Sequence, residues 1–226
     1  MKDPRVVALI PAHDEEDRIA DTVRAIASIE RIADVVVVDD GSADATGPAA
    51  LGAGATVLRI PRRAGKGAAM EGALRRLPPA AVWVFADADL GRTASRLGPV
   101  LQEVLDGKAD LAIATFPPDE GGGFGIVKRA AGRAIASLAG RTVAEPLSGQ
   151  RAITAGCLAA VRPFAPGFGV ETAMTIDALR AGFRVVEVPV ALSHRATGRS
   201  LAGFAHRGRQ GADIARAVAT RAVRRR

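Results

Sequence analysis

The sequence predicts an α/β domain with a mainly parallel central sheet flanked by helices, followed by a basic C-terminal helix. Three observations carry this expectation. Short apolar runs alternate with segments of helical periodicity over residues 1–115. The runs are apolar at consecutive positions, as in Val35-Val36-Val37-Val38, which suits strands covered on both faces. Polar clusters stand where these runs end, the edge at which open α/β sheets bind ligands.

The elements follow in order. Arg5–Ile10 is an apolar run closed by Pro11, and Glu15–Ile29 places Ile19, Val23, Ile26 and Ile29 at helical spacing behind acidic residues suited to a helix start. Val35–Val38 is the second strand, a helix is expected from about Asp44 to Leu51, and Ala55–Ile60 is the third strand. A helix over about Lys66–Leu77 leads to Ala81-Val82-Trp83-Val84-Phe85-Ala86-Asp87-Ala88-Asp89, read as a buried strand ending in two carboxylates. In extended backbone, residues i and i+2 point the same way, so Asp87 and Asp89 can face one cation. A helix at Leu97–Leu105 and a strand at Ala109–Ala114 complete the alternation. Beyond the Pro/Gly-rich stretch 117–123, helices are expected at Ile126–Leu138, Val170–Ala181 and Phe204–Val223, with a strand at Phe183–Leu192.

Bulk properties narrow the function classes. No run approaches the roughly 18 apolar residues of a membrane span, and the chain enters its first strand directly, so a cytoplasmic protein is expected. Cys157 is the only cysteine, which excludes an internal disulfide and a cysteine zinc cage. The net charge is +7, but His194–Arg226 holds nine arginines and one aspartate, a net +8, leaving −1 for residues 1–193. A nearly neutral body argues against a nucleic-acid surface; the basic tail points to a local anionic partner.

Five clusters occupy strand ends or the loop after the third strand: Pro11-Ala12-His13-Asp14-Glu15-Glu16, Asp39-Asp40-Gly41-Ser42-Ala43-Asp44-Ala45-Thr46, Gly65-Lys66-Gly67, Asp87-Ala88-Asp89 and His194-Arg195. Strand ends of one parallel sheet share an edge, so these groups can line a single crevice. Gly65-Lys66-Gly67 is not an ATPase phosphate loop, because Ile60 stands where its first Gly belongs and Gly67 where Ser or Thr should follow.

In order and spacing, the clusters resemble the P-A-x-N/D-E-E, V-V-D-D-G-S-x-D-x-T, G-K-G and D-x-D motifs of nucleotide-sugar-dependent, family 2-like glycosyltransferases of the A-type (GT-A), Rossmann-like fold. The second half resembles the glucosyl-3-phosphoglycerate synthase branch, through Pro146-Leu147-Ser148-Gly149-Gln150, Pro163–Glu171 and His194-Arg195.

The resemblance implies transfer of a hexose from a nucleotide diphosphate sugar, UDP-glucose foremost, with Mg²⁺ or Mn²⁺ offsetting the diphosphate charge. It divides the chain into a nucleotide-sugar-binding half (1–115), an acceptor half (116–200) and the basic helix (201–226). Pro11, Ala12, His13, Glu15 and Asp40 would frame the nucleotide. Gly65 and Lys66 would meet its base or phosphate, and Asp87, Ala88, Leu147, Ser148 and Gly149 would line the donor. Asp89 is the metal ligand, joined by His194; Asp87 holds the ribose or supports the metal. Glu171 is a helix cap, a holder of sugar hydroxyls, or a base on the acceptor hydroxyl. Gly123, Phe124, Phe168 and Arg199 fall on the acceptor side. One departure stands out: Phe124-Gly125-Ile126 occupies the loop where the branch carries an Arg and a Thr that grip the acceptor's phosphate and carboxylate. That weakens the case for 3-phosphoglycerate and leaves a small metabolite or a lipid-linked molecule as acceptor.

On the final helix, Ile214 and Val218 share one face, while Arg209, Asp213, Arg216 and Thr220 follow the other. Such a helix suits peripheral contact with an anionic inner membrane face, packing against the body, or a homodimer contact. Two rival functions remain. A sugar-phosphate nucleotidyltransferase would open with a Gly-rich basic loop after the first strand, and Pro11–Glu16 has neither glycine nor a basic side chain. A non-catalytic nucleotide-binding module would not need Asp89, His194 and Lys66 together.

Overall fold

The computed structural model describes residues 4–116, 125–192 and 201–223, leaving aside the side chains at 126, 168 and 201–210. The elements run β1 (Val6–Ala12), α1 (Ile19–Ala27), β2 (Ile32–Asp40), α2 (Thr46–Gly52), β3 (Thr56–Ile60), α3 (Lys66–Leu74) and β4 (Val82–Phe85). A 3₁₀ turn at Gly91–Leu97 leads into α4 (Gly98–Leu105), β5 (Leu111–Thr115) and α5 (Gly125–Ala139). Then come β6 (Arg151–Thr154), α6 (Ala155–Val161), a short 3₁₀ turn at Gly167–Gly169, α7 (Val170–Arg180), β7 (Val185–Pro189) and α8 (Leu201–Val223).

All seven strands form one sheet in the order β3-β2-β1-β4-β6-β5-β7. β1 pairs in parallel with both β2 and β4, so the chain winds one way through β2 and β3 and the other way from β4. The carboxyl ends of β1 and β4 therefore flank the point where strand order reverses, and the crevice there is the expected ligand site. Alternate residues of each strand enter opposite cores. Val6, Ala8, Ile10, Val35, Val37, Val82 and Val84 pack toward α1 and α4. Val7, Leu9, Val36, Val38, Trp83 and Phe85 pack toward α3, α6 and α7. Burial on both faces is why the strands lack the alternation of a half-exposed sheet.

The mainly parallel sheet matches the expectation, with one departure that matters for the site. β6 runs antiparallel between β4 and β5, with Phe85 opposite Arg151 and Val82 opposite Thr154. Because it is reversed, its entry rather than its exit lies at the carboxyl edge of β4. Gln150 and Gly149 are thereby delivered beside Asp87.

Two boundaries and one helix-face assignment differ in ways that bear on the site. α1 starts at Ile19, not Glu15. The acidic residues before it serve the neighbouring loop: Asp14 accepts from the Ala43 amide and Glu16 from the Ala45 amide, both at 2.8 Å. β4 ends at Phe85, and Ala88-Asp89 form a turn, so extended backbone does not align the two aspartates. The third difference concerns Asp213, expected on the outer face of the last helix. It lies over Gly167, where an added Cβ would collide with its carboxylate.

α8 packs its small apolar stripe on the body. Ile214 and Ala217 are buried, and Val218 rests against the core that includes α7. Arg221, only 6% exposed, donates to the Asp177 carboxylate from Nε (2.8 Å) and Nη2, while Arg180 Nη1 donates to the Arg221 carbonyl at 2.7 Å. The helix is thus clamped at its last turns. Arg221→Ala should lower the unfolding free energy by about 1.5–3 kcal/mol, the range for hydrogen bonds to charged groups. Urea denaturation checks this, and wild-type stability would show that α8 is held elsewhere.

Candidate active site

The site is built on three loops at the carboxyl edge of the sheet. The loops after β1 and β2 are joined by side-chain-to-backbone hydrogen bonds. The Asp14 amide donates to Ser42 Oγ (3.1 Å), the Glu15 amide to Thr46 Oγ1 (2.8 Å) and the Glu16 amide to Asp44 Oδ2 (3.1 Å). His13 Nδ1–H donates to the Asp40 carbonyl at 2.9 Å. Burial pushes the Asp44 carboxyl up, but hydrogen bonds from Thr46 and Glu16 outweigh it and hold the group below its ordinary value.

Asp40 is buried, and its two oxygens accept from the amides of Ala64 (2.7 Å) and Gly65 (2.8 Å). It thereby fixes the loop that presents Lys66. Gly65 has φ +87°, where a side chain would strain the backbone, and it opens α3 directly. Two residues on, a Cβ on Gly67 would collide with the Ala165 carbonyl. Glu71, on the same helix, accepts from Arg162 Nη2 (2.9 Å) and the Phe164 amide (3.3 Å). α3 is therefore locked to the segment that leads into α7.

Lys66 is where these supports converge. Its ammonium lies 2.5 Å from Asp87 Oδ1 and 2.6 Å from Glu171 Oε1. Burial works against the lysine's charge, but the two carboxylates outweigh it and raise the ammonium above its ordinary value. Asp87 Oδ2 accepts from Gln150 Nε2 at 2.6 Å. Gly149 permits this crowding: a Cβ there would stand 2.6 Å from both Asp87 Oδ1 and Lys66 Nζ.

Behind the cluster, Arg151 is fully buried against neutral acceptors. It donates to the Ser148 carbonyl (2.7 Å), Thr175 Oγ1 (2.9 Å) and the Pro146 carbonyl (3.4 Å). Burial pulls its guanidinium down to about 10, opposed by Glu171, Glu187 and Asp87, and it stays charged at neutral pH. Lys66 and Arg151 thus stand among three carboxylates, Asp87, Glu171 and, beside Arg151, Glu187.

Asp89 sits in the next turn. That turn is fastened to α1 by Arg18 Nη1 donating to the Asp89 carbonyl (3.2 Å) and Thr22 Oγ1 to the Ala88 carbonyl (2.7 Å). Among the described residues no group of three or more His, Cys, Asp or Glu side chains gathers as in an all-protein metal cage. The carboxylates this edge does offer, Asp87 and Asp89, would suit a hard cation bound by one or two of them and completed by substrate phosphate and water.

The expected donor-side residues all lie at this edge: Pro11 and Ala12 end β1, Asp40 ends β2, Lys66 opens α3, and His13, Glu15, Gly65, Asp87, Ala88, Asp89, Leu147, Ser148 and Gly149 lie in the loops and turns between elements. Glu171, expected from α7, reaches Lys66 directly. His194, Gly123, Phe124, Arg199 and the side chain of Phe168 lie outside the described residues. Sequence reasoning missed Gln150 and Arg151 as parts of the site. Their signal was adjacency to Ser148-Gly149, without the reversed strand that turns them inward.

A family 2 glycosyltransferase is what this sheet edge and its carboxylate pair describe, and residues 7–162 match the glycosyl transferase family 2, to which the chain belongs. The chain is 31% identical over 196 residues to glucosyl-3-phosphoglycerate synthase of Mycolicibacterium paratuberculosis, covering 76% of this chain and 59% of that protein. It is 28% identical over 197 residues to glycosyltransferase AglJ of Haloferax volcanii, covering 85% and 64%. The chain thus spans about three-fifths of the length of these curated relatives. The crystal structure of Mycobacterium tuberculosis glucosyl-3-phosphoglycerate synthase with Mn²⁺, UDP and glucosyl-3-phosphoglycerate superposes with TM-score 0.82 at 26% identity, covering 96% of this chain and 80% of that one. A further structure of that enzyme holds Mg²⁺ and UDP.

Gly149→Ala is expected to keep the fold, since this glycine has no left-handed φ, but to wedge Asp87 away from Lys66. Titration calorimetry with UDP and Mn²⁺ should show binding weakened about tenfold or more, about 1.4 kcal/mol. Unchanged affinity would mean the pair is not part of the donor site.

Proposed function

We propose that the chain transfers glucose from UDP-glucose to an acceptor hydroxyl with the help of Mg²⁺ or Mn²⁺. The observation that carries the proposal is the Lys66 ammonium set between Asp87 and Glu171 at the strand-order reversal of a family 2 fold. In this reading the 1–115 half binds the donor and the 116–200 half receives the acceptor, with Lys66, Asp87 and Glu171 at their seam.

Each residue has a stated task. Asp89, with His194, would hold the cation, which supplies charge to offset the leaving diphosphate. Lys66 adds a fixed positive charge beside the phosphates or base edge, held by its two carboxylates rather than by water. Asp87 orients the ribose or supports the metal ligand, and Asp40 keeps the Ala64-Gly65 loop closed against the nucleotide. Glu171 is almost fully buried and reaches the seam from α7, a position suited to holding sugar hydroxyls or receiving a proton from the acceptor.

The relatives' substrates support a UDP-sugar donor, but the acceptor loop argues for a different acceptor. A small trianion such as 3-phosphoglycerate needs several charge-assisted hydrogen bonds, each about twice as strong as a neutral one. Phe124 and Ile126 bring no charge to that loop, and of the two cations close by, Lys128 is engaged by Glu145 at 2.5 Å, which leaves Arg129, beside Gly125. A small metabolite of other chemistry or a lipid-linked acceptor suits this composition better. No helix among the described residues is long and apolar enough to cross a membrane. Since the apolar stripe of α8 faces the body, the exposed Arg216 and the arginine-rich composition of the tail support peripheral membrane contact through charge alone.

Two experiments test the reading. Asp89→Ala should abolish cation-dependent binding of UDP-glucose, measured calorimetrically with and without Mn²⁺; full cation-dependent affinity in the variant would sink the metal-site assignment. In kinetics with UDP-glucose, 3-phosphoglycerate should be a poor acceptor, and efficient transfer at sub-millimolar acceptor, roughly the ordinary KM range, would show that other cations restore the lost grip.

A further inference from the structure

The hydrogen-bond pattern at the entry of β6 points to a role for a side chain that binds no substrate group in the reading above. We infer that Gln150 is a positioning residue: as a neutral donor it fixes the Asp87 carboxylate, and through it Lys66, in the geometry that receives the nucleotide diphosphate. The inference rests on the donor-site reading.

Asp87 stands two residues beyond the end of β4, so the sheet ladder does not fix it. Its Oδ1 meets Lys66, a long side chain with several accessible rotamers. Gln150 is of another kind. It is fully buried, and its carbonyl accepts from the Ala114 amide of β5 at 2.9 Å, which anchors its backbone to the sheet. Its side-chain orientation is also determined. A carboxylate only accepts, so the amide NH₂ must face Asp87 Oδ2 at 2.6 Å; Oε1 then accepts from Ser148 Oγ at 3.2 Å. The ladder Ser148–Gln150–Asp87–Lys66–Glu171 therefore starts at the entry of β6, tied to β5 through the Gln150 carbonyl, and ends at the seam between donor and acceptor halves.

The next residue holds the far end of the same ladder. Arg151 donates to Thr175 Oγ1, and Thr175 Oγ1 donates to the Glu171 carbonyl at 2.9 Å, one turn back on α7. Asp87 is thus held, and the turn of α7 that carries Glu171 supported, from two consecutive residues at the entry of one antiparallel strand. Only an uncharged donor suits position 150. Asp87, Glu171 and Glu187 already stand against Lys66 and Arg151, and a further carboxylate opposite Asp87 would repel it.

The test uses the full chain, with UDP and Mn²⁺ as the probe, and scores calorimetric affinity as the ratio of variant to wild type at each pH. Gln150→Glu keeps the shape of the side chain. Facing Asp87, the new carboxyl has its pKa raised above the ordinary value of about 4.3. When protonated it donates an O–H in place of the lost N–H; when ionised it repels. Gln150→Glu should bind at least about tenfold more weakly than wild type near pH 8 and recover to within about threefold near pH 5.5. Gln150→Leu, which can never donate, should be weak at both pH values. A structural role alone would move neither the pH dependence nor the difference between the two variants. If Gln150→Glu tracks the wild type at every pH, or if both variants lose affinity by one pH-independent factor, the inference is overturned. Absence of UDP binding by the wild-type chain would instead overturn the donor-site reading, and the inference with it.

Discussion

The ammonium of Lys66 between Asp87 and Glu171 is the interaction on which the rest of the site depends. A charge removed from water must be paired and hydrogen-bonded, or it destabilises the fold by several kcal/mol. Here the pairing draws on three separate elements: the loop opening α3, the turn after β4 and the first turn of α7. Leaving Lys66 without either carboxylate would leave a buried charge uncompensated. The arrangement therefore restricts how those elements can sit relative to one another. The glycines around it follow from the same crowding. Gly149 and Gly67 each occupy a place where a single added carbon would strike a polar group.

Around that centre, the loops owe their shape mainly to short polar side chains bonded to backbone amides. Asp40 to Ala64 and Gly65, Asp14 to Ala43 and Glu16 to Ala45 each replace a water-exposed amide with a charge-assisted bond. These contacts join the loops after β1, β2 and β3 into one rim beside the strand-order reversal. The acidic stretch Asp14–Asp17 illustrates how one composition permits two structures. Acidic residues favour a helix N-terminus, yet here the chain gains more by pairing two of them, Asp14 and Glu16, across to the second loop. The helix consequently begins four residues late.

The basic tail shows a comparable competition. Its charge is ordinary surface charge at Arg216, but Arg221 is buried and paired with Asp177. Part of what reads as a cationic membrane-facing helix is therefore an internal clamp holding α8 on α7. The small residues of its stripe, Ala217 and Gly211 among them, suit close packing on the body better than insertion into lipid.

The sequence by itself determined the layered fold, because strands buried on both faces must be apolar throughout and amphipathic helices must cover them. It also determined the set of loops that carry the polar clusters, since the carboxyl ends of parallel strands share an edge. Asp40, Lys66, Asp87 and Glu171 were readable as candidates from residue type and place in the chain, and the family resemblance sharpened them. Only the tertiary structure decided which of these side chains meet. Lys66 and Glu171 are separated by more than a hundred residues, and no local periodicity specifies the distance between them. The same holds for β6. Four residues containing an arginine give no usable strand signal, and the direction of a strand is not written in its side-chain pattern. Reversal places Gln150 at the carboxyl edge and Arg151 in the core behind it, and both positions depend on pairing with β4 and β5 rather than on any property of the segment alone.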